Sequence, residues 1–107
     1  MTTQAIADEL VAELGFEVND YTIVVSGDAM APGLRSGDLA VVRPVNGYDG
    51  EGVYLVNFDG LETLRRIYQT ADSKYTSRCD NQLHYPGDCA VPQDCLVGRV
   101  IATVSRV

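Results

Sequence analysis

The chain has 107 residues, a length that suits one domain with its own core but not two. Hydrophobic residues make up 46% and charged residues 21% of it, as in ordinary globular proteins, and no apolar run approaches the ~20 residues of a membrane-spanning helix. The net charge of −7, from 8 basic against 15 acidic side chains, argues against direct nucleic-acid binding, because phosphates are held mainly by Lys and Arg.

The first segment, residues 3–14, has the pattern of an amphipathic helix. Ile6, Leu10 and Leu14 recur four residues apart and form one apolar stripe. Gly15 follows as a residue that accepts the left-handed conformation common just after a helix. We therefore predict one N-terminal helix.

From Tyr21 onward the pattern becomes that of short strands separated by Gly, Asp, Asn and Pro turns. The pair Asp59-Gly60 lies between two such runs and predicts a hairpin, because both residues accept positive φ. Strands are predicted at residues 21–25, 39–42, 52–58, 61–68, 74–77 and 95–107. The fold class is therefore mainly β, with about seven short strands after the helix.

These elements predict a single domain over residues 1–107. Residues 1–20 are assigned to the N-terminal helix and a connector, and residues 21–107 to the β domain. The sequence offers no second helix for a helix-turn-helix, so no DNA-binding domain is expected in this chain. The N-terminus has no basic stretch leading into an apolar one, so we expect a cytoplasmic location rather than secretion.

The most informative stretch is residues 25–42, VSGDAMAPGLRSGDLAVV. Gly27 follows a predicted strand and allows a sharp turn, on which a residue is exposed for chemistry. Pro32 and Gly33 predict a tight loop behind that turn. The residue in the exposed place is Ala29, which has no reactive group.

This stretch resembles the central motif of the self-cleaving C-terminal domains of LexA, UmuD and phage repressors, V-x-G-D-S-M-x-P-x-[IL]-x-x-G-D-x-[VLA]-x-V. Further segments resemble the family in the same order: residues 52–56, 64–67, 77–86 with Asn81 and Tyr85, and 97–101 with Gly98. The resemblance spans residues 21–107 and implies a LexA C-terminal-like β fold. The motif positions matched at unbroken spacing are Gly27, Asp28, Met30, Pro32, Leu34, Gly37 and Asp38.

The resemblance also implies a serine nucleophile activated by a neutral lysine, whose pKa is lowered by desolvation. On this sequence the nucleophile position is Ala29 and the base position is Arg65. Alanine has no hydroxyl, and a guanidinium stays protonated at physiological pH, so both halves of the dyad are replaced. The Ala-Gly or Cys-Gly bond that active members cut is also absent from the chain. The sequence as written is therefore predicted to be a pseudoenzyme.

Other residues offer no convincing replacement for this dyad. Ser26 and Ser36 flank the turn without an evident base, Lys74 lies near a predicted hairpin tip, and His84 lies in a loop-like stretch. No cofactor and no metal site are expected, because the cysteines are odd in number and form no CxxC pair: Cys79, Cys89 and Cys95.

These features favour a non-catalytic module for dimerisation or regulation, related to bacterial or phage repressors of transcription and the SOS response. Its expected partner is a second copy or a LexA-like repressor. An alternative is a Ser/Lys autopeptidase inactivated by substitution at Ala29 and Arg65. Ala29 alone could be an engineered change, but the second replacement favours natural inactivity because one change suffices. A weaker alternative is a peptide-binding relic, whose cleavage groove holds an extended peptide by strand addition.

Overall fold

The computed structural model describes residues 3–5 and 16–105. In these residues the chain forms eight strands and one turn of 3-10 helix. The 3-10 turn, Gln93–Cys95, leads directly into the last strand. The strands are β1 (Thr3–Ala5), β2 (Tyr21–Val24), β3 (Leu39–Pro44), β4 (Gly52–Phe58), β5 (Leu61–Ala71), β6 (Lys74–Arg78), β7 (Asp88–Val91) and β8 (Leu96–Val104).

All eight strands belong to one antiparallel sheet, in the order β1-β2-β3-β8-β4-β5-β6-β7. The last strand of the chain therefore lies in the middle of the sheet, between β3 and β4. The β3–β8 register shifts between Val41 and Val42, and the β4–β8 register shifts between Leu55 and Val56. In both places the extra residue lies on β8, Ile101 opposite β3 and Val97 opposite β4, so β8 itself bends and twists between its neighbours.

The core has two apolar clusters on opposite faces of the β4–β5 hairpin. Leu55 and Leu64 are register partners and belong to cluster 1, whereas Tyr54 and Val56 point to the other face and belong to cluster 2. Cluster 1 consists of Ile23, Val25, Met30, Leu34, Ala40, Val42, Leu55 and Leu64. Cluster 2 consists of Tyr54, Val56, Ile67, Val91 and Leu96.

The mainly β class predicted from the sequence is confirmed, and seven strands lie between Tyr21 and Val104. The hairpin at Asp59-Gly60 is also confirmed, with positive φ at both residues. The sequence patterns missed β7, whose residues are mostly exposed and show no apolar alternation. Its place is set by pairing with β6.

The predicted N-terminal helix over residues 3–14 is wrong at its start. Thr3–Ala5 is a strand that pairs with Tyr21 to Ile23 of β2, because the open edge of β2 offers backbone partners that override a local helical pattern. The remainder of that prediction, residues 6–14, lies outside the described residues. No helix in the described part of the chain is long and apolar enough to cross a bilayer.

A buried ion pair joins the segment before β2 to β3. The Asp20 carboxylate is fully buried and accepts hydrogen bonds from Arg43 Nε at 3.0 Å and Arg43 Nη2 at 2.9 Å. It also accepts one from the Glu17 backbone N–H at 2.7 Å. The Arg43 guanidinium holds the pKa of Asp20 below its ordinary value, so this carboxylate is charged in the folded protein at neutral pH.

Substituting Gly98 with alanine is expected to destabilise the fold. A methyl group there would collide with the buried Val42 Cγ1 and approach the Arg43 carbonyl oxygen to 3.0 Å. Overpacking of this kind costs about 1–3 kcal/mol of unfolding free energy. Chemical denaturation measures the loss, and Gly33→Ala is the matched control because its nearest contact would lie 4.0 Å away. Equal stability of the two variants would contradict the close approach of β3 and β8.

Substituting Asp20 with asparagine is expected to remove roughly 1.5–3 kcal/mol of unfolding free energy at pH 7, the range for hydrogen bonds to charged groups. Because folding lowers the pKa of Asp20, its contribution is present above the unfolded value of ~3.9 and is lost as the pH falls through the lower folded value. The difference in unfolding free energy between wild type and Asp20→Asn should therefore become smaller as the pH is lowered. Asp49→Asn, at an exposed side chain 3.7 Å from Arg99, is the control and should change little. A difference in unfolding free energy that does not change with pH would contradict the lowered pKa of Asp20 in the folded protein.

Candidate functional site

The loop that carries the sequence motif, residues 25–38, is closed at its neck by backbone hydrogen bonds. The Val25 N–H donates to the Asp38 carbonyl at 2.8 Å, and the Gly37 N–H donates to the Val25 carbonyl at 2.9 Å. The buried Asp38 carboxylate accepts the Arg35 N–H at 2.9 Å. Gly37 has a φ of 94°, which favours glycine. This motif loop is thus held in one shape by its own sequence.

Two buried side chains anchor the motif loop to the core. Met30 and Leu34 belong to cluster 1, and the Leu34 N–H donates to the Met30 carbonyl at 3.1 Å. The Ala31–Pro32 peptide bond is cis. Ala29 precedes this anchored segment and is half-buried. The loop therefore presents position 29 at a defined place beside the sheet.

Ala29 and Arg65 line the same cavity. One wall is the motif loop, at residues 25–27, 29 and 30, and the other is the start of β5, residues 61–65. The cavity has a volume of about 240 Å³. The two positions that the resemblance assigned to nucleophile and base thus meet across one space, although they are 36 positions apart in the sequence.

Arg65 supplies a fixed positive charge to this cavity. Its Nη1 atom donates to Thr63 Oγ1 at 2.8 Å and to the Leu64 carbonyl at 2.7 Å. A guanidinium has only donors and accepts no proton from a hydroxyl at physiological pH. Across the cavity, Ala29 offers only a methyl group. The pair can hold an anion or exclude water, but it has no group that attacks a carbonyl.

A second segment, residues 79–87, docks on the motif loop. Asn81 donates its backbone N–H to the Ala29 carbonyl and its side-chain amide to the Asp28 carbonyl, both at 3.0 Å. The Tyr85 hydroxyl donates to Asp28 Oδ1 at 2.7 Å, and this hydrogen bond raises the pKa of Tyr85. Three of the family-matched residues, Asp28, Asn81 and Tyr85, therefore act together to hold the turn that carries Ala29.

The other residues considered in the sequence analysis divide between the cavity and other parts of the structure. Ser26 lines the cavity, whereas Ser36, Lys74 and His84 are exposed and do not line it. Gly98 lies in β8, where it permits close packing against Val42. Within the described residues, no group of His, Cys, Asp or Glu side chains is arranged to hold a metal ion, and the three cysteines are free.

The sequence patterns missed three of the cavity-lining residues, Leu61, Glu62 and Thr63. Thr63 could have been found, because side chains two apart on a strand share a face and Arg65 was already a candidate. Leu61 is 69% exposed, so an apolar pattern that identifies buried positions would not have selected it as a cavity-lining residue.

Comparison with known protein families agrees with this geometry. The chain matches the family described as Peptidase S24-like over residues 4–101, which includes the motif loop, the start of β5 and most of β8. No curated protein gave a significant match. The chain belongs to the Peptidase S24-like family, that of the LexA, UmuD and phage-repressor C-terminal domains.

Proposed function

We propose that this protein is a non-catalytic LexA-like domain that works by association, as a dimerisation or regulatory module. The observation that carries the proposal is the composition of the cavity, in which Ala29 and Arg65 occupy the positions of nucleophile and base. The motif loop and the start of β5 hold both positions at this cavity, but alanine and arginine supply neither a hydroxyl nor a neutral amine there.

Peptide hydrolysis needs a nucleophile and a group that takes its proton. Among the described residues that line the cavity, Ser26 and Thr63 carry hydroxyls, and Arg65 is the one basic side chain. None of these described lining residues is a lysine or a histidine. A serine or threonine there would thus keep its proton and remain a weak nucleophile.

The end of β8 supports association. β4 pairs with β8 only as far as Tyr54 opposite Arg99, whereas β8 continues to Val104. Among the described strands, none pairs with residues 100–104 on that side, although β3 pairs with them on the other. An open edge of this kind is a template for another strand, and the sequence VIATV carries no charge to oppose pairing.

Exposed apolar side chains accompany this edge. Val104, Leu39 and Val24 are register partners across β8, β3 and β2 and therefore lie in one row on one face of the sheet. Their exposed fractions are 56%, 37% and 38%. A second copy, or a LexA-like repressor with the corresponding strand, would cover both the edge and the row. A specific interface of this kind buries about 1,200 Å² or more.

The association proposal predicts a dimer that depends on the end of β8. We expect light scattering after size exclusion to give a dimer mass for the wild type and a monomer mass for Val104→Glu, because the new carboxylate would be desolvated in the interface. Leu61→Glu is the matched control, since Leu61 is also exposed but lies on β5, and it should remain dimeric. A wild type that stays monomeric at high micromolar concentration, alone and with a LexA-like repressor, would refute the proposal.

A second candidate is an autopeptidase inactivated at Ala29 and Arg65. The hydrogen bonds of Asn81 and Tyr85 to the motif turn favour it, because they would hold a serine at position 29 in a defined place beside the cavity. The 107 residues contain no Ala-Gly or Cys-Gly bond, so the test of this candidate supplies that bond in a separate peptide.

Restoring both groups separates these candidates. We expect the wild type, Ala29→Ser and Arg65→Lys to leave an Ala-Gly reporter peptide intact, because each lacks a nucleophile, a base or both. Under the second candidate, Ala29→Ser/Arg65→Lys cleaves the peptide, faster as the pH rises and the lysine loses its proton. Mass spectrometry follows the products. Cleavage by the wild type would refute the non-catalytic proposal, and an inert double variant would count against the second candidate.

A third candidate is a groove that binds a peptide without cutting it. β6 begins to pair with β5 at Arg66 opposite Arg78, so residues 61–65 of β5 pair with β4 on one side only among the described strands. This open edge is also the cavity wall. An extended peptide could extend the sheet there by strand addition.

A further inference from the structure

The arginine at the base position differs from the other half-buried arginines of the protein. Arg43, Arg66 and Arg99 each lie within 4.0 Å of a carboxylate, on Asp20, Asp80 and Asp49 respectively. Arg65 is also half-buried, but no carboxylate of the described residues lies within that distance. Arg65 thus has no ion-pair partner within 4.0 Å among the described side chains.

The hydrogen bonds of Arg65 leave part of its guanidinium available. Nη1 donates to Thr63 Oγ1 and to the Leu64 carbonyl, both on β5 itself. Nε and Nη2 have no hydrogen-bond acceptor among the described residues. A guanidinium presents five N–H donors in a planar fork that matches a carboxylate, and charge-assisted bonds of this kind are about twice as strong as neutral ones.

The position of this cation defines what could reach it. Arg65 lies at the end of the open edge of β5, residues 61–65, and lines the cavity that faces the motif loop. Five strand residues span about 17 Å, the length of a short extended peptide. The apolar side chains of Leu61 and Met30 line the same cavity, so a ligand there meets both an apolar surface and a cation.

We propose that this groove binds an extended peptide that carries a carboxylate, and that Arg65 pairs with that carboxylate. The proposal rests on the peptide-binding candidate above and adds the chemical class of the ligand. The carboxylate is supplied either by an Asp or Glu side chain or by the C-terminus of the peptide. The arginine that removes the base from the peptidase site thereby gives the groove a preference for anions.

The negative charges of the protein do not cancel this preference. Charges more than about 8 Å apart are largely screened at physiological ionic strength, so the groups in contact with the ligand decide its affinity. Glu62 also lines this cavity, but its side chain is exposed and its charge is therefore screened by water, whereas Arg65 is half-buried. The carboxylate of Asp28, in the motif loop, accepts a hydrogen bond from the Tyr85 hydroxyl.

The test uses N-acetylated hexapeptides of randomised sequence, synthesised with either an amidated or a free C-terminus, and fluorescence anisotropy as the readout. We expect the wild type to bind peptides with Asp, Glu or a free C-terminus about tenfold more tightly than their Asn, Gln or amidated counterparts, a ratio that corresponds to 1.4 kcal/mol. Comparing the two peptide sets identifies which source supplies the carboxylate. The preference should weaken as salt is added.

Three variants assign the preference to Arg65. Arg65→Gln should bind charged and neutral peptides equally, whereas Arg65→Lys keeps the charge and should retain part of the preference. Arg78→Gln is the matched control, because Arg78 is an exposed arginine on β6 outside the cavity. Thermal unfolding of each variant confirms that it is folded.

The outcomes separate this inference from the candidate on which it rests. Failure of every hexapeptide to bind would overturn both. Binding without a preference for carboxylates, or a preference that Arg65→Gln retains, would overturn the assignment of Arg65 and leave peptide binding in place.

Discussion

Strand β8 lies in the middle of the sheet and connects two groups of strands that do not otherwise pair with each other. β1 to β3 follow one another across one side, β4 to β7 follow one another across the other, and the last strand of the chain pairs with both β3 and β4. Leu39 pairs with Val104, so residues that lie far apart in the sequence become neighbours in the sheet. Closing so long a loop costs chain entropy, which the burial of the two apolar clusters has to offset. Gly98 makes the approach possible, since no side chain fits between β8 and Val42.

The cavity depends on that junction, because its walls come from the two sides. The motif loop follows β2, whereas Leu61 to Arg65 begin β5, and cluster 1 joins both through Ile23, Ala40, Leu55 and Leu64. The shape of the site is therefore a consequence of core packing and of the contacts made by Asn81 and Tyr85. None of these requires a serine or a lysine. The scaffold can therefore keep its shape with alanine at position 29 and arginine at position 65, as the proposed association function requires.

Two of the open stretches of strand in the described sheet have side chains that suit different ligands. Residues 100–104 at the end of β8 are uncharged and end at the exposed Val104. Residues 61–65 at the start of β5 end at a guanidinium that has no carboxylate partner among the described residues. Backbone groups of any strand could pair with either edge, so selectivity has to come from side chains. An apolar edge favours another uncharged strand, and an edge that ends in a cation favours an anionic one.

The sequence by itself determined the local elements and the chemistry of the motif. Alternating apolar residues, the Asp59-Gly60 turn and the run from Gly27 to Asp38 are short-range signals, and the absence of a hydroxyl at Ala29 is visible in the letters. Tertiary structure decided what depends on distant partners. It placed Thr3–Ala5 in a strand against β2, positioned β7 beside β6, paired Asp20 with Arg43 and placed Arg65 across the cavity from Ala29. These features depend on contacts between residues that are distant in the sequence. A local sequence pattern does not predict such contacts, because they are set by packing over the whole sheet.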